Sequence, residues 1–302
     1  MFPDISKTEK LATGSKLYRF LYNPFKYAYA IVFRNVIYRA TKKKRTVSTT
    51  LFWGKPMFIA LPASTDIFLT GGKSHSSEIR LAKFLLNTLK PGDHFLDIGA
   101  HYGYFTLLAS EITGKEGKVL AFEPSKEAFE ILTMNALTAE NISVFRKAVS
   151  NKNEPVVFYE FPNLYSEYNT SNVQQFQNES WFNHFSPNKV EIEATTIDLI
   201  STENNLHPKL IKIDVEGAEN LVIKGGKNFF QKESPILIME YLSQERNNLT
   251  HKEALKTLSE WGYTSNFIDK NGHIIPLTDI DLYLQNENMD SDNIVFKKNI
   301  LH

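Results

Sequence analysis

Short, almost uninterrupted apolar runs alternate with helix-like segments through the middle of this 302-residue chain. The predicted strands are 94–98, 118–122, 142–145, 209–213 and 235–240, and the predicted helices are 104–112, 125–138, 217–231 and 251–261. Runs with so little polar character suit a parallel sheet that is covered on both faces. The alternation therefore predicts an α/β protein with a doubly wound sheet.

Segments on either side of this region extend the prediction. Two further strands are expected at 263–268 and 292–297, and no helical pattern separates them. We expect them to pair antiparallel at one edge of the sheet. Upstream, 77–89 has a helical pattern, whereas 56–61 and 66–70 have the pattern of a short strand pair.

The first 50 residues form a separate electrostatic unit. The whole chain balances 34 Lys+Arg against 34 Asp+Glu, but residues 1–50 contain 11 basic and 2 acidic residues. Asn23 and Pro24 supply an N-cap and a first helical residue, so a helix is expected from 24 to about 40. We therefore divide the chain into a basic, aromatic-rich helical extension over 1–50 and a main domain over 51–302, in which 51–75 holds the strand pair and 151–208 an insertion.

Two interpretations of this extension remain open. It could lie on an anionic membrane surface, with its aromatic residues at the interface, or it could be a solvated helix that caps the main domain. The longest uncharged apolar run, 27–33, is too short to span a bilayer, and residues 1–12 lack the pattern of a signal peptide. The expected location is cytoplasmic, with peripheral contact to the inner face of the membrane as the alternative. No nucleic-acid reading motif accompanies the charge, so nucleic acid is not an expected partner.

The chain has no cysteine. This excludes disulfides, thiolate-bound metals and a cysteine nucleophile. A metal site would therefore need oxygen or histidine ligands. His75, His184, His207 and His251 have no metal-ligand spacing between them.

A glycine-containing turn follows the first strand of the central region. Its sequence, Asp97-Ile-Gly-Ala-His-Tyr-Gly, has the spacing G-x-x-x-G and differs from the dinucleotide pattern G-x-G-x-x-G. The next strand ends in Glu123, which lies 24 residues after Gly99. A carboxylate at this position can accept both ribose hydroxyls of a nucleoside. The pair of motifs predicts a nucleoside-containing cofactor.

Six segments, in this order, resemble the FkbM family of S-adenosylmethionine-dependent methyltransferases. They are DIGAHYGYFT from Asp97, AFEPS from Ala121, KAVS from Lys147, TTIDLI from Thr195, LIKIDVEGAE from Leu210 and PILIMEY from Pro235. The resemblance covers about 75–245. It implies a class I methyltransferase (Rossmann-like) fold, with a doubly wound, mostly parallel sheet and an antiparallel edge strand. It also implies S-adenosylmethionine (SAM) at the carboxyl ends of the first strands and methyl transfer to a hydroxyl oxygen.

The resemblance also assigns roles to individual residues. The implied cofactor-binding residues are Glu78, Asp97, Gly99, Ala100, Gly103, Tyr104, Thr106, Glu123, Pro124 and Ala148. Among these, Asp97 and the glycines would surround the methionine part, and Tyr104 and Thr106 would position its carboxylate. Glu123 would hold the ribose, and the backbone of Ala148 would approach the adenine. Where the family has Asn, this chain has His101, whose charge is expected to vary near neutral pH.

Acidic residues end the next two strands. Asp214 and Glu216 follow the strand at 209–213, and Glu240 ends the strand at 235–240. One of these acids, or His101, is a candidate general base for the acceptor hydroxyl. Alternatively, Asp214 and Glu240 hold a Mg²⁺ ion that lowers the pKa of that hydroxyl. Glu216 could instead stabilise the positive end of the following helix.

The insertion at 151–208 is the expected determinant of acceptor choice. Strands are expected at 155–161 and 190–197, and the segment between them is polar and aromatic. The aromatic side chains that could stack on a sugar ring are Tyr165, Tyr168, Trp181 and Phe185, with His184 nearby. A flexible surface loop is the alternative. The predicted function is O-methylation of a saccharide or secondary metabolite, which could be a lipid-linked glycan. A non-catalytic SAM-binding relative and a nicotinamide-dependent oxidoreductase are the other candidates.

Overall fold

A computed structural model describes residues 5–176, 182 and 187–298. Its strands are β1 Arg45–Thr50, β2 Pro56–Leu61, β3 His94–Ile98, β4 Lys118–Phe122, β5 Ile142–Phe145, β6 Ala148–Val149, β7 Val156–Glu160, β8 Asn188–Ile192, β9 Ala194–Thr195, β10 Pro208–Ile213, β11 Ile236–Leu242, β12 Tyr263–Ile268, β13 Ile274–Pro276 and β14 Ser291–Lys298. Its α-helices are α1 Ser6–Thr13, α2 Lys16–Tyr22, α3 Pro24–Val32, α4 Tyr38–Thr41, α5 Thr65–Thr70, α6 Ser76–Thr88, α7 Tyr104–Thr113, α8 Lys126–Ala136, α9 Ile197–Asn204, α10 Glu219–Lys224, α11 Lys227–Lys232, α12 Leu249–Glu260 and α13 Ile280–Asn286. A π-helical turn, Phe33–Ile37, joins α3 to α4, and 3₁₀ turns span Asn163–Tyr168, Val173–Phe176 and Gln244–Arg246.

The central sheet has the strand order β13-β12-β14-β11-β10-β3-β4-β5. Strands β11, β10, β3, β4 and β5 are parallel neighbours, whereas β14 runs antiparallel to both β11 and β12. The predicted doubly wound, mostly parallel sheet with an antiparallel edge region is confirmed. The chain leaves β3 toward β5 and returns to the other side of β3 at β10. This reversal opens a crevice at the carboxyl ends of β3 and β10, where ligands of such sheets bind.

Both faces of the sheet are buried, which explains the continuous apolar runs. Successive residues of β3 face opposite sides: Phe95 belongs to the core under α6, α7 and α8, and Leu96 to the core under α9 through α13. Val119 and Leu120 of β4 divide in the same way. Each parallel strand therefore needs apolar residues at every position, with no polar face left for solvent.

Three sequence expectations in this region are wrong. The expected helix over 217–231 is two helices, α10 and α11, separated by Gly225 and Gly226. A Cβ at Gly225 would lie 2.0 Å from the carbonyl oxygen of Ser150, so this backbone approach requires glycine. The expected strand over 190–197 divides into β8 and β9. The connection between the last two long strands also contains a helix, α13, which is too short to show a clear period but is capped by Asp279.

The strand pair expected from 56–61 and 66–70 is also corrected. Strand β2 pairs antiparallel with β1, which lies within the first 50 residues, and 66–70 belongs to helix α5. Helix α5 buries the adjacent residues Ile67 and Phe68 and ends at Gly71, whose φ of 75° provides a left-handed C-cap.

The helix expected from 24 to about 40 is confirmed as α3, the π turn and α4. One side of it contributes Ala30, Phe33 and Tyr38 to the main core, and β1 joins the main domain through β2. In the part of the chain that the structure describes, no helix is both long enough and apolar enough to cross a membrane.

Candidate active site

One cavity of about 420 Å³ opens at the carboxyl ends of β3, β10 and β11. Its walls come from the strand ends with the loops that follow them, from the insertion, and from the segment around the start of α6. The strand ends and loops contribute Gly99, His101, Glu123, Pro124, Asp214, Glu216 and Glu240, the insertion contributes Ser166, Glu167, Tyr168 and Asn169, and the segment around the start of α6 contributes Lys73 and Glu78. The fold therefore brings four of the predicted cofactor residues, Glu78, Gly99, Glu123 and Pro124, to the same space as the three predicted acids.

Gly99 is required by the backbone of a neighbouring strand. Its φ is +80°, and a Cβ there would lie 1.8 Å from the carbonyl oxygen of Asp214. The amide of Asp214 in turn donates a hydrogen bond to the carbonyl of Ile98. The glycine thus lets the ends of β3 and β10 meet, in addition to leaving room for a ligand.

A buried charge cluster lies behind this turn. Lys212 Nζ lies 3.0 Å from Asp214 Oδ2 and 3.6 Å from Asp97 Oδ1, and Thr106 Oγ1 donates to Asp97 Oδ2 at 2.6 Å. Burial alone would lower the pKa of Lys212, but the carboxylates of Asp214 and Asp97 raise it, so the ammonium stays charged. Asp97 is 1% exposed and does not line the cavity. It supports the site from behind, together with Thr106.

Sequence reasoning missed Lys212. It is 3% exposed in a strand whose other central residues are apolar. A lone lysine inside such a run was the available signal, because a buried lysine needs a carboxylate partner.

Glu123 reaches the cavity with both carboxylate oxygens oriented by backbone amides. Its Oε2 accepts from the His101 amide at 2.8 Å and its Oε1 from the Ser125 amide at 2.9 Å. Burial raises the pKa of Glu123 to about 7. Since a carboxylate oxygen can accept two hydrogen bonds, each still has a position for a ribose hydroxyl. The expected ribose-holding role fits this geometry.

His101 is held in an unusual conformation beside Glu123. Its φ is 49°, its ring stacks on that of Tyr102 with centroids 3.7 Å apart, and its Nε2 lies 3.3 Å from Ser166 Oγ. Burial lowers the pKa of His101 to about 4. The expectation that its charge varies near neutral pH is therefore wrong: the ring is neutral there and is a weak base.

Asp214, Glu216 and Glu240 converge on the other side of the cavity. One carboxylate oxygen from each lies within 4.8 Å of the others. Burial raises the pKa of Glu240 to about 8, and burial together with the charge of Glu240 raises that of Glu216 well above its usual range. Glu216 and Glu240 can therefore hold protons at neutral pH.

Glu216 does not lie in the first turn of the following helix. It has a φ of 52° in the loop before α10, which starts at Glu219. Glu219, the first residue of α10, fixes the preceding loop, because its Oε1 accepts from the amides of Val215 and Gly217. Glu216 lies in this loop and lines the cavity.

Glu78 lines the cavity as part of an ion-pair network that sequence reasoning missed. Lys73 Nζ lies 2.9 Å from Glu78 Oε1 and 3.3 Å from Glu167 Oε1. Burial would lower the pKa of Lys73, but the charges of Glu167 and Glu78 raise it well above its usual value. This lysine links the segment before α6 to the insertion.

Several expected cofactor residues lie outside the cavity lining, namely Ala100, Gly103, Tyr104, Thr106 and Ala148. The amide of Ala100 donates to the Phe122 carbonyl and that of Ala148 to the Glu193 carbonyl, so neither is free for a ligand. A Cβ at Gly103 would meet Leu132 at 2.6 Å. Tyr104 is buried, with its hydroxyl hydrogen-bonded to the backbone of Lys73. These residues shape the turn and its packing.

The insertion closes one side of the cavity. Strands β7 and β8 form its base, and Thr170 Oγ1 and Asn172 Nδ2 donate to the carbonyls of Glu216 and Gly217 at 2.5 and 3.1 Å. Tyr168 lines the cavity, whereas Tyr165 lines a different one. The other expected stacking residues, Trp181, His184 and Phe185, lie outside the described residues.

Comparisons with known proteins agree on the class of enzyme. Residues 97–265, more than half of the chain, match the family described as Methyltransferase FkbM domain. A probable cobalt-precorrin-6B C(15)-methyltransferase (decarboxylating) of Saccharolobus solfataricus is 24% identical over 155 residues, which is 50% of this chain and 76% of that protein.

Solved structures resemble the chain only distantly. Methyltransferase FkbM from Methylobacillus flagellatus KT is 15% identical, with a TM-score of 0.40 over 78% of this chain and 52% of its own. Precorrin-6y C5,15-methyltransferase from Geobacter metallireducens GS-15 is 13% identical, with a TM-score of 0.39 over 74% of this chain and 87% of its own.

The family match includes most of the residues that line the cavity. It begins at Asp97 in β3 and contains Glu123, Asp214 and Glu240. Two features that fit SAM lie in this span: a glycine turn at the switch point of the sheet and a carboxylate with open acceptor positions. The chain belongs to the FkbM family of SAM-dependent methyltransferases.

Proposed function

We propose that this protein transfers the methyl group of SAM to a hydroxyl oxygen of a saccharide or secondary-metabolite acceptor. The observation that carries the proposal is the single cavity with Gly99 and Glu123 on one side and the acids Asp214, Glu216 and Glu240 on the other. The first side fits a nucleoside. The second side can take the proton that a hydroxyl must lose.

The proposed reaction is an in-line displacement. When bound, SAM supplies a methyl carbon activated by its positive sulfur. The acceptor oxygen bonds to this carbon while the carbon–sulfur bond breaks, its electrons go to sulfur, and the hydroxyl proton passes to a carboxylate. Glu240 is the proposed base, since a pKa raised to about 8 makes its ionised form a stronger base than an ordinary glutamate, and that form becomes more populated as the pH rises toward 8. Alignment of the acceptor by the cavity walls supplies much of the rate.

A divalent cation is the alternative occupant of the acidic side. The three carboxylates offer oxygen ligands within 4.8 Å of one another, which suits Mg²⁺. Lys212 lies 3.0 Å from Asp214 and already supplies a positive charge there, which favours a proton-accepting role for the acids. If methyl transfer continues in the presence of a chelator, the result supports a carboxylate as the general base. If transfer stops with chelator and is restored by added Mg²⁺, the result supports a bound Mg²⁺ ion.

The first test is calorimetric titration of S-adenosylhomocysteine (SAH) into the full chain. We expect binding that weakens strongly in Glu123→Gln, whereas NADH does not bind. Glu140→Gln is the matched control, because Glu140 is exposed and does not line the cavity. If SAH fails to bind the folded wild-type protein, the proposal is wrong.

The second test measures transfer of a labelled methyl group to a panel of glycans and hydroxylated metabolites. We expect alkali-stable incorporation at oxygen, slowed about 10²–10⁴-fold by Glu240→Gln with SAH binding intact. Incorporation only at nitrogen or carbon would contradict the proposed acceptor chemistry.

We also propose that the N-terminal extension contacts an anionic membrane surface, which would bring a lipid-linked acceptor to the cavity. Its helices expose an apolar group, namely Leu17, Tyr18, Phe20, Leu21, Tyr22, Phe25, Ile31, Val32, Val36 and Ile37. Basic residues of the same segment flank these side chains, as at an interfacial helix.

Deletion of residues 1–50 would remove β1 and part of the core, so point variants are the better test of membrane contact. Leu21 and Phe25 are 68% and 88% exposed, and we expect Leu21→Ser/Phe25→Ser to reduce sedimentation with phosphatidylglycerol vesicles. The control is Leu137→Ser/Leu249→Ser, which changes residues 77% and 69% exposed elsewhere. Equal sedimentation of the two variants would argue against contact through the extension.

A further inference from the structure

A second cavity, of about 980 Å³, lies between the end of the N-terminal helix and the insertion. It is distinct from the active site and shares no lining residue with it. Its lining includes Arg34, Arg39, Lys42 and Lys43 from the extension and Leu164 and Tyr165 from the insertion. We name it the basic cavity.

The basic cavity has a large excess of positive charge. Its lining contains five cationic side chains and one carboxylate, Glu127, which pairs with Lys44 at 2.6 Å. Within the described ranges, the structure shows no ion pair for Arg34, Arg39, Lys42 or Lys43. Four cations around one concavity repel each other unless an anion joins them.

The end of a helix explains only part of this charge. Helix α4 ends at Thr41, and cations near a helix carboxyl end are stabilised by the helix dipole. That effect accounts for Arg39 and Lys42. It does not account for Arg34, about two turns earlier, or for Lys43, which follows the helix.

A single 3₁₀ turn separates the basic cavity from the active site. Within Asn163–Tyr168, Leu164 and Tyr165 line the basic cavity, whereas Ser166, Glu167 and Tyr168 line the active site. A ligand held in the basic cavity is therefore separated from the active-site cavity by one short turn of chain. Phosphate oxygens are the anionic groups that clustered arginine and lysine side chains bind best.

We propose that the basic cavity binds the phosphate or diphosphate group of the acceptor and so holds its hydroxyl-bearing part toward the active site. The placement of the acceptor rests on the proposed methyl transfer, whereas phosphate binding stands on the cavity alone. The same group could belong to a lipid headgroup or to a water-soluble phosphate ester.

The test titrates sodium diphosphate into the full-length protein at low and high salt. We expect binding that weakens with salt and that falls about tenfold or more in Lys42→Gln/Lys43→Gln, which loses two charge-assisted contacts. Lys115→Gln/Lys152→Gln is the matched control, since it removes two exposed lysines outside both cavities. SAH binding is measured on every variant as a check on the fold and on the cofactor site.

The outcomes separate this inference from the proposed function. If diphosphate does not bind, or if both double variants lose the same amount of diphosphate affinity, the proposed phosphate site is wrong even if SAH binds. Diphosphate binding that only Lys42→Gln/Lys43→Gln weakens supports the site, even if no methyl acceptor is found.

Vesicles then identify the source of the phosphate. Binding to phosphatidylglycerol vesicles that diphosphate competes away would identify a lipid headgroup. If the protein binds diphosphate but does not bind these vesicles, the phosphate belongs to a water-soluble phosphate ester.

Discussion

Gly99 and Asp214 meet backbone to backbone at the point where the sheet reverses its strand order, and a Cβ on Gly99 would lie 1.8 Å from the Asp214 carbonyl oxygen. Gly99→Ala should therefore lower the melting temperature sharply and abolish SAH binding, because no side-chain rotation can relieve a backbone clash. Thermal unfolding and calorimetry measure the two effects. Gly92→Ala is the control: its φ of +88° carries the same conformational cost of about 1 kcal/mol, but nothing lies within 4 Å of its Cβ. Equal melting temperatures for the two variants would contradict this explanation.

Lys212 neutralises the buried carboxylate of Asp97 and the partly exposed carboxylate of Asp214. Lys212→Met should lower the free energy of unfolding by about 3–5 kcal/mol, because Asp97 and Asp214 would lose the cation that lies 3.6 and 3.0 Å away. Urea denaturation measures the change. Lys209→Met alters an exposed lysine of the same strand and should leave stability within about 0.5 kcal/mol of wild type. A small loss at Lys212 would show that the two acids do not need this cation.

Glu123 should make cofactor binding depend on pH. Its pKa is raised to about 7 by burial, so the carboxyl gains a proton, and loses acceptor capacity for the ribose, as pH falls through that value. SAH affinity should therefore weaken from about pH 8 to about pH 6. Calorimetry at several pH values tests this. Glu123→Gln should bind weakly throughout with the pH dependence removed, and a wild-type affinity that is constant over this range would contradict the role.

Glu240 should control the pH dependence of methyl transfer. Because its pKa is raised to about 8 and a base must be ionised, the rate should rise up to about that pH and level off above it. Glu240→Gln should lower kcat by about 10²–10⁴-fold with little change in SAH affinity. Initial rates at saturating SAM, with chelator present, measure the pH dependence and kcat, and calorimetry measures the SAH affinity. A variant that keeps the wild-type rate would exclude Glu240 as the base.

Sequence periodicity was sufficient to predict the strands of the sheet but not the short elements that connect them. Strands such as 94–98 and 118–122 were predictable because burial on both faces leaves an apolar signal at every position. The helix α13 and the pairing of β2 with β1 were missed, because a seven-residue helix and a hairpin partner leave no such signal. The break between α10 and α11 depends on Ser150, which is 75 residues away in the chain from Gly225.

The sequence by itself determined the class of the protein. The order and spacing of its motifs identify the family, and the apolar runs predict the parallel sheet, because both signals come from residues close together in the chain. Only the tertiary structure decided which motif residues face the ligand. It placed Asp97 and Thr106 behind the site, made His101 neutral through burial, and joined Lys212 to two carboxylates. The physical reason is that exposure, pKa and ion pairing depend on neighbours that the chain brings together from distant positions.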